Sequence, residues 1–407
     1  MTGILSDLRV VEGSAFVAAP LAGLTLAQLG AQVIRFDPIG GGLDRHRWPV
    51  TADGRSLYWA SLNKGKRSIS IDIRRPEGRE LIHRLIGADG PGGGLFLTNF
   101  PAEGWLSYDE LRKHRADLAM VAIRGQPDGA TAVDYTVNAA AGFPLATGPE
   151  GLAEPINHVL PAWDIATGLQ AAFGLLAAER HRRLTGEGQL VRLSLMDSAL
   201  AMLGHLGILA EAQINKVDRP RGGNDLYGAF GRDFATSDGK RVMIVALTDR
   251  QWRAVLDATG LAAEVAAVEK AGGYDFRNEG DRYRARDRLN PLVSAWIAKR
   301  PYDDVARAFG EKGVLFERYQ SFGELVAGDP RCSLANPLFG EVDQPGIGRI
   351  LTPGALLDFS AKARAAPERA PLLGEHTDQV LADVLGLPSG EIARLHDRGI
   401  VAGPSEG

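Results

Sequence analysis

The residue best placed for chemistry is Asp164, in the stretch PAWDIATGLQAAFGLLAAERHRRLTGEGQ over residues 161–189. A carboxylate at the start of a long helical run has two ordinary uses. It caps the helix, accepting hydrogen bonds from backbone amides at N2 or N3, which is the commoner use of Asp there. Or it attacks an acyl carbon as a nucleophile, with Ala162, Ile165, Ala166 and Gly168 leaving room for a substrate and stripping away water. The two are compatible, because the positive end of a helix dipole keeps a carboxylate ionised and aimed.

Other candidates divide in the same way. NKGKRS sets Lys64, Lys66 and Arg67 at a turn before a strand, where they meet either phosphates or solvent. Asn99 and Phe100, in LTNFP, sit where an open α/β sheet takes its ligands, and equally where a strand simply ends. The eight histidines show no H-x-x-x-H or H-E-x-x-H pair, so no metal is expected, and His158 reads as a structural residue. No G-x-S-x-G elbow anchors a hydrolase triad. A dinucleotide site fails as well: GSAFVAAP lacks the second and third glycines of G-x-G-x-x-G and puts Pro20 at the helix start.

Bulk properties narrow the class. A chain of 407 residues exceeds what one compact core holds, so two domains are expected. The formal charge of -4 comes from 46 basic and 50 acidic residues mixed along the chain, which leaves no basic stripe for nucleic acid. Cys332 is the single cysteine and has no disulfide partner within the chain, which fits a reducing, cytoplasmic setting. No basic segment precedes an apolar one at the N-terminus, and no apolar run approaches the ~18 residues of a span, so neither export nor membrane insertion is expected.

The elements that must position Asp164 read as alternating strands and helices. LRVVEG, AQVIRFD, RSISIDI and GLFLTNF have strand character, with LAGLTLAQLG and RPEGRELIHRLIGADG as helices between them, so the N-terminal part is expected to form a parallel α/β sheet. The helix after Asp164 places Leu169, Phe173, Leu176 and Ala177 on one face and ends in the basic ERHRRL before a glycine stop. QLVRLSLMD alternates as a half-buried strand and runs into the helix SALAMLGHLGILAEAQ. Near residue 215 a Gly, Arg and Asp-rich stretch marks a crossing into a smaller unit, beginning with DGKRVMIVAL.

Six ordered blocks carry a resemblance: LRVVEGSAFVAAPLAGLTLAQLGAQVIRFD, LNKGKRSISIDIRRPEGRELI, TNFPAEG, DIATGLQAAFGLLAAERHRRLTGEGQLVRLSLMDSAL, YGAFGRDFATSDGK and RAPLLGEHTDQVLADVLGL. In them the chain resembles the family III CoA-transferases, the group that includes formyl-CoA transferase and α-methylacyl-CoA racemase. The resemblance implies that Asp164 is the covalent nucleophile, that a CoA thioester is the substrate, and that no prosthetic group takes part. It implies a CoA site lined by Lys66, Asn99, Phe100 and Arg124, with Phe16 and Val17 at the first turn. It implies a Rossmann-like large domain with a parallel sheet from 1–215 and 331–407, a smaller inserted α/β domain at 216–330 with its linkers, and an interlocked homodimer.

Departures narrow the reaction. Val133 stands where the racemases carry a His, and no counterpart of their supporting Glu lies near Thr248, so proton abstraction from both faces of a carbon lacks its second acid. Pro38, Ser107 and Val17 replace residues of the formyl-CoA transferase pattern, which argues against formate and oxalate. VVEGSAFVAAPLAG, IRFDPIGGGLD, RWPVT and HVLPAWDIATG resemble a branch that moves CoA within one acid, from the C1 to the C4 carboxyl of mesaconate. That reaction turns 2-methylfumaryl-CoA into 3-methylfumaryl-CoA. It needs a cation for the free carboxylate, and Arg45, His46 and Arg47 in LDRHRWP are the candidates against a merely solvated loop. It also needs amide donors for oxyanions, expected at the helix start and in a loop of the small domain. The rival readings are an intermolecular CoA-transferase that uses an added acid, and a noncatalytic acyl-CoA binding protein.

Overall fold

The computed structural model describes residues 3–90 and 92–405. In chain order its first elements are β1 (Arg9–Gly13), α1 (Ala18–Gln28), β2 (Gln32–Asp37), α2 (Leu57–Leu62), β3 (Arg67–Ile71), α3 (Pro76–Gly87), β4 (Leu95–Thr98) and α4 (Tyr108–Leu111). Next come β5 (Ala119–Arg124), α5 (Asp134–Ala140), α6 (Phe143–Ala146), α7 (Ala162–Thr185), β6 (Gln189–Ser194), α8 (Leu195–His205) and α9 (Ile208–Asn215). The later strands are β7 (Phe230–Ala235), β8 (Arg241–Ala246), β9 (Leu315–Arg318), β10 (Phe339–Gln344), β11 (Gly348–Pro353) and β12 (Val401–Ala402).

Two units result, one made of residues 1–141, 159–209 and 330–407, the other of 142–158 and 210–329. The first holds a seven-stranded sheet in the order β12-β3-β2-β1-β4-β5-β6. Its strands are parallel except β12, which pairs antiparallel with β3 through Val401 and Ile71. Alternate side chains feed two cores. Val11, Ile34, Phe36, Ile69 and Phe96 pack with α3 and with Val380 and Leu381 on one face, while Val10, Val33, Leu95, Leu97 and Val121 meet α1 and α7 on the other. Burial on both faces explains why these strands read as near-continuous apolar runs.

The order of the strands reverses between β1 and β4, the place where doubly wound sheets open a crevice beyond their carboxyl ends. The C-terminal segment returns to this unit. Ser68 Oγ accepts from Gly374 N and Thr377 Oγ1 accepts from Ser70 N, both across β3.

The second unit is a three-stranded antiparallel sheet, β7-β8-β9, covered by the helices Asp249–Thr259, Arg286–Ile297 and Tyr302–Lys312 around Phe230, Ile244, Trp252, Leu289 and Phe309. It also includes residues 142–158, which fall within the 1–215 span that the resemblance implied for the large domain. Arg221 fastens that segment by donating to the carbonyls of Leu145 and Glu154, and Gly223 N donates to Gly148 O. These tertiary bonds leave no mark in local sequence.

Two further expectations change. The run after β6 is two helices, α8 and α9, broken where Gly207 takes a φ of 74°. On α7, Leu169 and Phe173 are 44% and 69% exposed, and the buried face is instead Thr167, Gly168, Ala171, Ala172, Leu175 and Ala178. Small residues win because the backbones of α1 and α7 run close: a Cβ on Gly168 would lie 2.6 Å from the Ala18 carbonyl. Gly168→Ala is therefore expected to push the helices apart and cost about 1–3 kcal/mol, as overpacking does. Calorimetry showing an unchanged melting temperature would contradict that packing. Among the described residues, no single helix is long and apolar enough to cross a membrane.

Candidate active site

Asp164 occupies the third position of α7, after Ala162 and Trp163, and it does not cap the helix. That task belongs to Asp134, at the start of α5, whose Oδ2 accepts from Trp163 N at 2.7 Å and Asp164 N at 3.0 Å. The neighbouring amides are also occupied, since Ala162 N donates to Leu160 O and Ile165 N to Pro161 O. Thus the capping role expected of Asp164 fails. So does the expectation that the helix start offers amides to an oxyanion, because each of its first four N–H groups already has an acceptor.

Freed from capping, the Asp164 carboxylate is tuned by its surroundings. Burial first and the negative Asp134 second raise its pKa to about 6, against the opposing charge of Arg47. The helix dipole was expected to favour the anion; partial burial and a second carboxylate outweigh it. The result is a carboxylate still ionised near neutrality and more basic than an exposed one, which suits nucleophilic attack. Asp134 is itself buried, and its Oδ1 has no hydrogen-bond partner, so its charge is weakly screened.

Arg47 is held over two rings, with its guanidinium carbon 5.3 Å from the centroids of both Phe16 and Tyr58. Tyr58, on α2, has a hydroxyl pushed up to about 12 by burial, lowered in part by Arg47 and raised by Asp164. It stays protonated at neutral pH and able to donate. Arg45 and His46 go elsewhere. Arg45 stacks 5.5 Å over Trp59 and donates to Ser405 O, and both line a pocket with Gln344 and Pro371 that does not include Asp164. Of the three cations in LDRHRWP, only Arg47 acts on Asp164.

The turn after β1 is built with care. Asn99, just past β4, accepts from Ala15 N at 2.9 Å and donates to Ala15 O at 2.7 Å, as a paired strand would. Asp44 Oδ2 accepts from Phe16 N at 3.1 Å. These bonds hold Phe16 at a φ of 66°, a left-handed conformation that bulky residues rarely take, and place buried Val17 before α1. Phe100 packs edge-on against Phe36, and Arg124 ends β5. Phe16, Val17, Asn99, Phe100 and Arg124 therefore gather along the carboxyl edge of β1, β4 and β5 at the strand-order reversal.

Lys66 stands apart from that edge. It is buried, and its ammonium donates to Glu12 Oε1, Pro20 O and Asn63 Oδ1, which uses all three of its protons. Burial pushes its pKa down to about 8, partly offset by Glu12. In this conformation it has no proton left for a phosphate. It belongs to a buried network in which Arg35 donates to Asp37 and to Asp44, and so secures the carboxylate that holds Phe16. Lys64 is buried too, and Arg67 lies 3.9 Å from Asp383, so NKGKRS is neither a solvated turn nor an open phosphate cradle.

Sequence reasoning missed Asp134 and Tyr58. Asp134 looks like an ordinary first-turn acid of its own helix, and nothing in AVDYTVNAA signals a bond to amides near residue 164. Tyr58 reads as one aromatic in a short amphipathic stretch.

Comparison with known proteins gives this geometry its context. Over 405 residues the chain is 61% identical to the 2-methylfumaryl-CoA isomerase of Chloroflexus aurantiacus, covering 99% of each. It is 29% identical over 408 residues to the succinyl-CoA:mesaconate CoA-transferase of Haloarcula hispanica, covering 95% of this chain and 98% of that one. The fold is that of a CAIB/BAIF family protein from Brucella suis, with a TM-score of 0.76 and 24% identity over 94% of this chain and 100% of that one. Residues 5–377 match the profile of CoA-transferase family III, and the chain belongs to that family.

Proposed function

We propose that this enzyme moves CoA from the C1 to the C4 carboxyl of one molecule, converting 2-methylfumaryl-CoA into 3-methylfumaryl-CoA. The observation that carries the reading is the 61% identity, over 99% of both chains, to a 2-methylfumaryl-CoA isomerase.

Asp164 starts the reaction. A carboxylate oxygen attacks the C1 thioester carbon, the C–S bond breaks, and a mixed anhydride and CoA thiolate result. The thiolate then attacks the aspartyl carbon of the anhydride and expels the C1 carboxylate, leaving an Asp164–CoA thioester and free mesaconate. Mesaconate turns, its C4 carboxylate attacks the same aspartyl carbon, and thiolate leaves again. Attack of thiolate on the C4 acyl carbon releases Asp164 as carboxylate. Electron pairs balance without proton transfer. A retained acid acts at an effective concentration on the order of 10⁵ M, which favours transfer within one molecule over capture of a dissolved acid.

Each tetrahedral intermediate carries an oxyanion. Since the amides of α7 are occupied, we assign donation to it to Tyr58, whose hydroxyl is protonated and electrostatically coupled to Asp164. Arg47 takes the free carboxylate of mesaconate. Arg47→Ala is expected to lower kcat/KM about 10- to 100-fold, in line with loss of a charge-assisted hydrogen bond, while Arg45→Ala and His46→Ala stay within about three-fold. Equal losses in all three variants would remove Arg47 from this role. Phe16, Val17, Asn99, Phe100 and Arg124 supply the CoA-binding edge. Lys66 supports it from beneath, through the same network as Asp44.

The competing reading is transfer to a separate acid, as the name of the Haloarcula relative describes for that protein. Purified protein incubated with 2-methylfumaryl-CoA and no other acid separates the two. Chromatography should show 3-methylfumaryl-CoA, and a parallel incubation with labelled mesaconate should leave the product unlabelled. Product that forms only when an acid is supplied would replace the isomerase reading with the intermolecular one.

We further propose a cytoplasmic, interlocked homodimer. The support is an exposed apolar row on α7, Leu169, Phe173 and Leu184, with Leu200 and Leu206 on and just after α8. Light scattering should give twice the chain mass, and Phe173→Glu should shift it toward the monomer.

A further inference from the structure

We infer that the chain carries a divalent transition-metal site, best matched to zinc, formed by Glu80, His83 and His114. Spacing alone led to the expectation of no metal, since no two histidines share a ligand pattern on one element. The fold brings residues of α3 and of the connection between β4 and β5 together.

Glu80 and His83 lie one turn apart on α3, on the same side of the helix. His114 follows α4 and its ring lies tilted against that of His83, with ring centroids 4.7 Å apart and planes inclined by 45°. The ligand atoms of all three residues lie within 4.8 Å of one another. A tetrahedral zinc ion with bonds of about 2.0–2.1 Å draws its donors somewhat closer together than this. Glu80 and His114 are exposed and free to close by that amount, while buried His83 stays as the fixed arm.

The tautomer of His83 strengthens the assignment. Its Nε2 lies 2.7 Å from the carbonyl oxygen of Trp105, which can only accept, so that nitrogen carries a proton. The other ring nitrogen, Nδ1, is left facing Glu80, 4.0 Å from its carboxylate. An imidazole that donates one N–H to a backbone carbonyl and offers the other nitrogen outward is the usual arrangement of a metal-ligating His. Two imidazoles and one carboxylate make a donor set that zinc accepts with one position open to water. A bound ion would tie α3 to the connection that begins with Asn99 and Phe100.

The test uses the full-length protein, stripped with a chelator, and Zn²⁺ as the probe in competition with a chromophoric chelator. One ion per chain is expected. His114→Ala and Glu80→Gln, both at exposed positions, should each weaken binding at least ten-fold. Co²⁺ in place of Zn²⁺ should give visible absorption typical of four-coordinate cobalt, lost in the same variants. Thermal unfolding gives a readout apart from activity: Zn²⁺ should raise the melting temperature of the parent chain but not of His114→Ala. No stoichiometric Zn²⁺ binding, or equal affinity in parent and both variants, overturns the proposal.

Discussion

Asp164→Asn is expected to fold and bind the CoA thioester yet lose activity by about 10⁴-fold or more, as removal of a nucleophile does in covalent catalysis. The amide keeps the size of the carboxylate but has no anionic oxygen to attack the thioester carbon. The loss should fall on kcat, because the edge at β1, β4 and β5 that we propose binds CoA does not depend on this side chain. Trapping gives a second measurement. Hydroxylamine or borohydride added during turnover should modify the peptide containing residue 164, and only when substrate is present. Protein that turns over steadily with that peptide untouched would dismiss the aspartyl thioester.

The second large effect belongs to Asp134. Asp134→Ala removes the carboxylate that accepts from the amides of Trp163 and Asp164, and an unsatisfied buried amide costs about 1–3 kcal/mol. The first turn of α7 should loosen, and kcat/KM should fall on the order of 100-fold as the nucleophile loses its aim. The conservative Asp134→Asn keeps an acceptor oxygen and removes the charge, which separates geometry from electrostatics.

The pH profile makes the separation visible. Asp164 must be ionised to attack, and its pKa is raised to about 6, so kcat/KM in the parent should fall ten-fold per unit as pH drops below that value. Removing the negative neighbour in Asp134→Asn lowers the Asp164 pKa, so the acid limb should move to lower pH. Removing the positive neighbour in Arg47→Ala raises it, so that limb should move to higher pH. Shifts in the same direction, or none in either variant, would show that these two charges do not set the reactivity of Asp164.

Much of the scaffold was legible before any coordinates. The four N-terminal strands fall where apolar runs bounded by helical spacing put them, and Gly186 ends α7 in a left-handed turn as the glycine stop required. Patterns of this sort are local, so a single chain displays them. The face of α7 was misread for the opposite reason. Leu169 and Phe173 are the larger apolar residues, but which side of a helix is buried depends on what lies beside it, and at Gly168 α1 comes too close for a side chain.

The site divides along the same line. By itself the sequence determined the alternation of strands and helices, the start of α7, and the presence there of an acid between small residues, because each is written within a few residues of chain. Only the tertiary structure decided what surrounds that acid. It gave the capping bonds to Asp134, freed the Asp164 carboxylate and raised its basicity, chose Arg47 over Arg45 and His46, and turned Lys66 inward. Capping bonds, burial and charge act through space at a few ångströms, between residues that spacing along the chain does not relate.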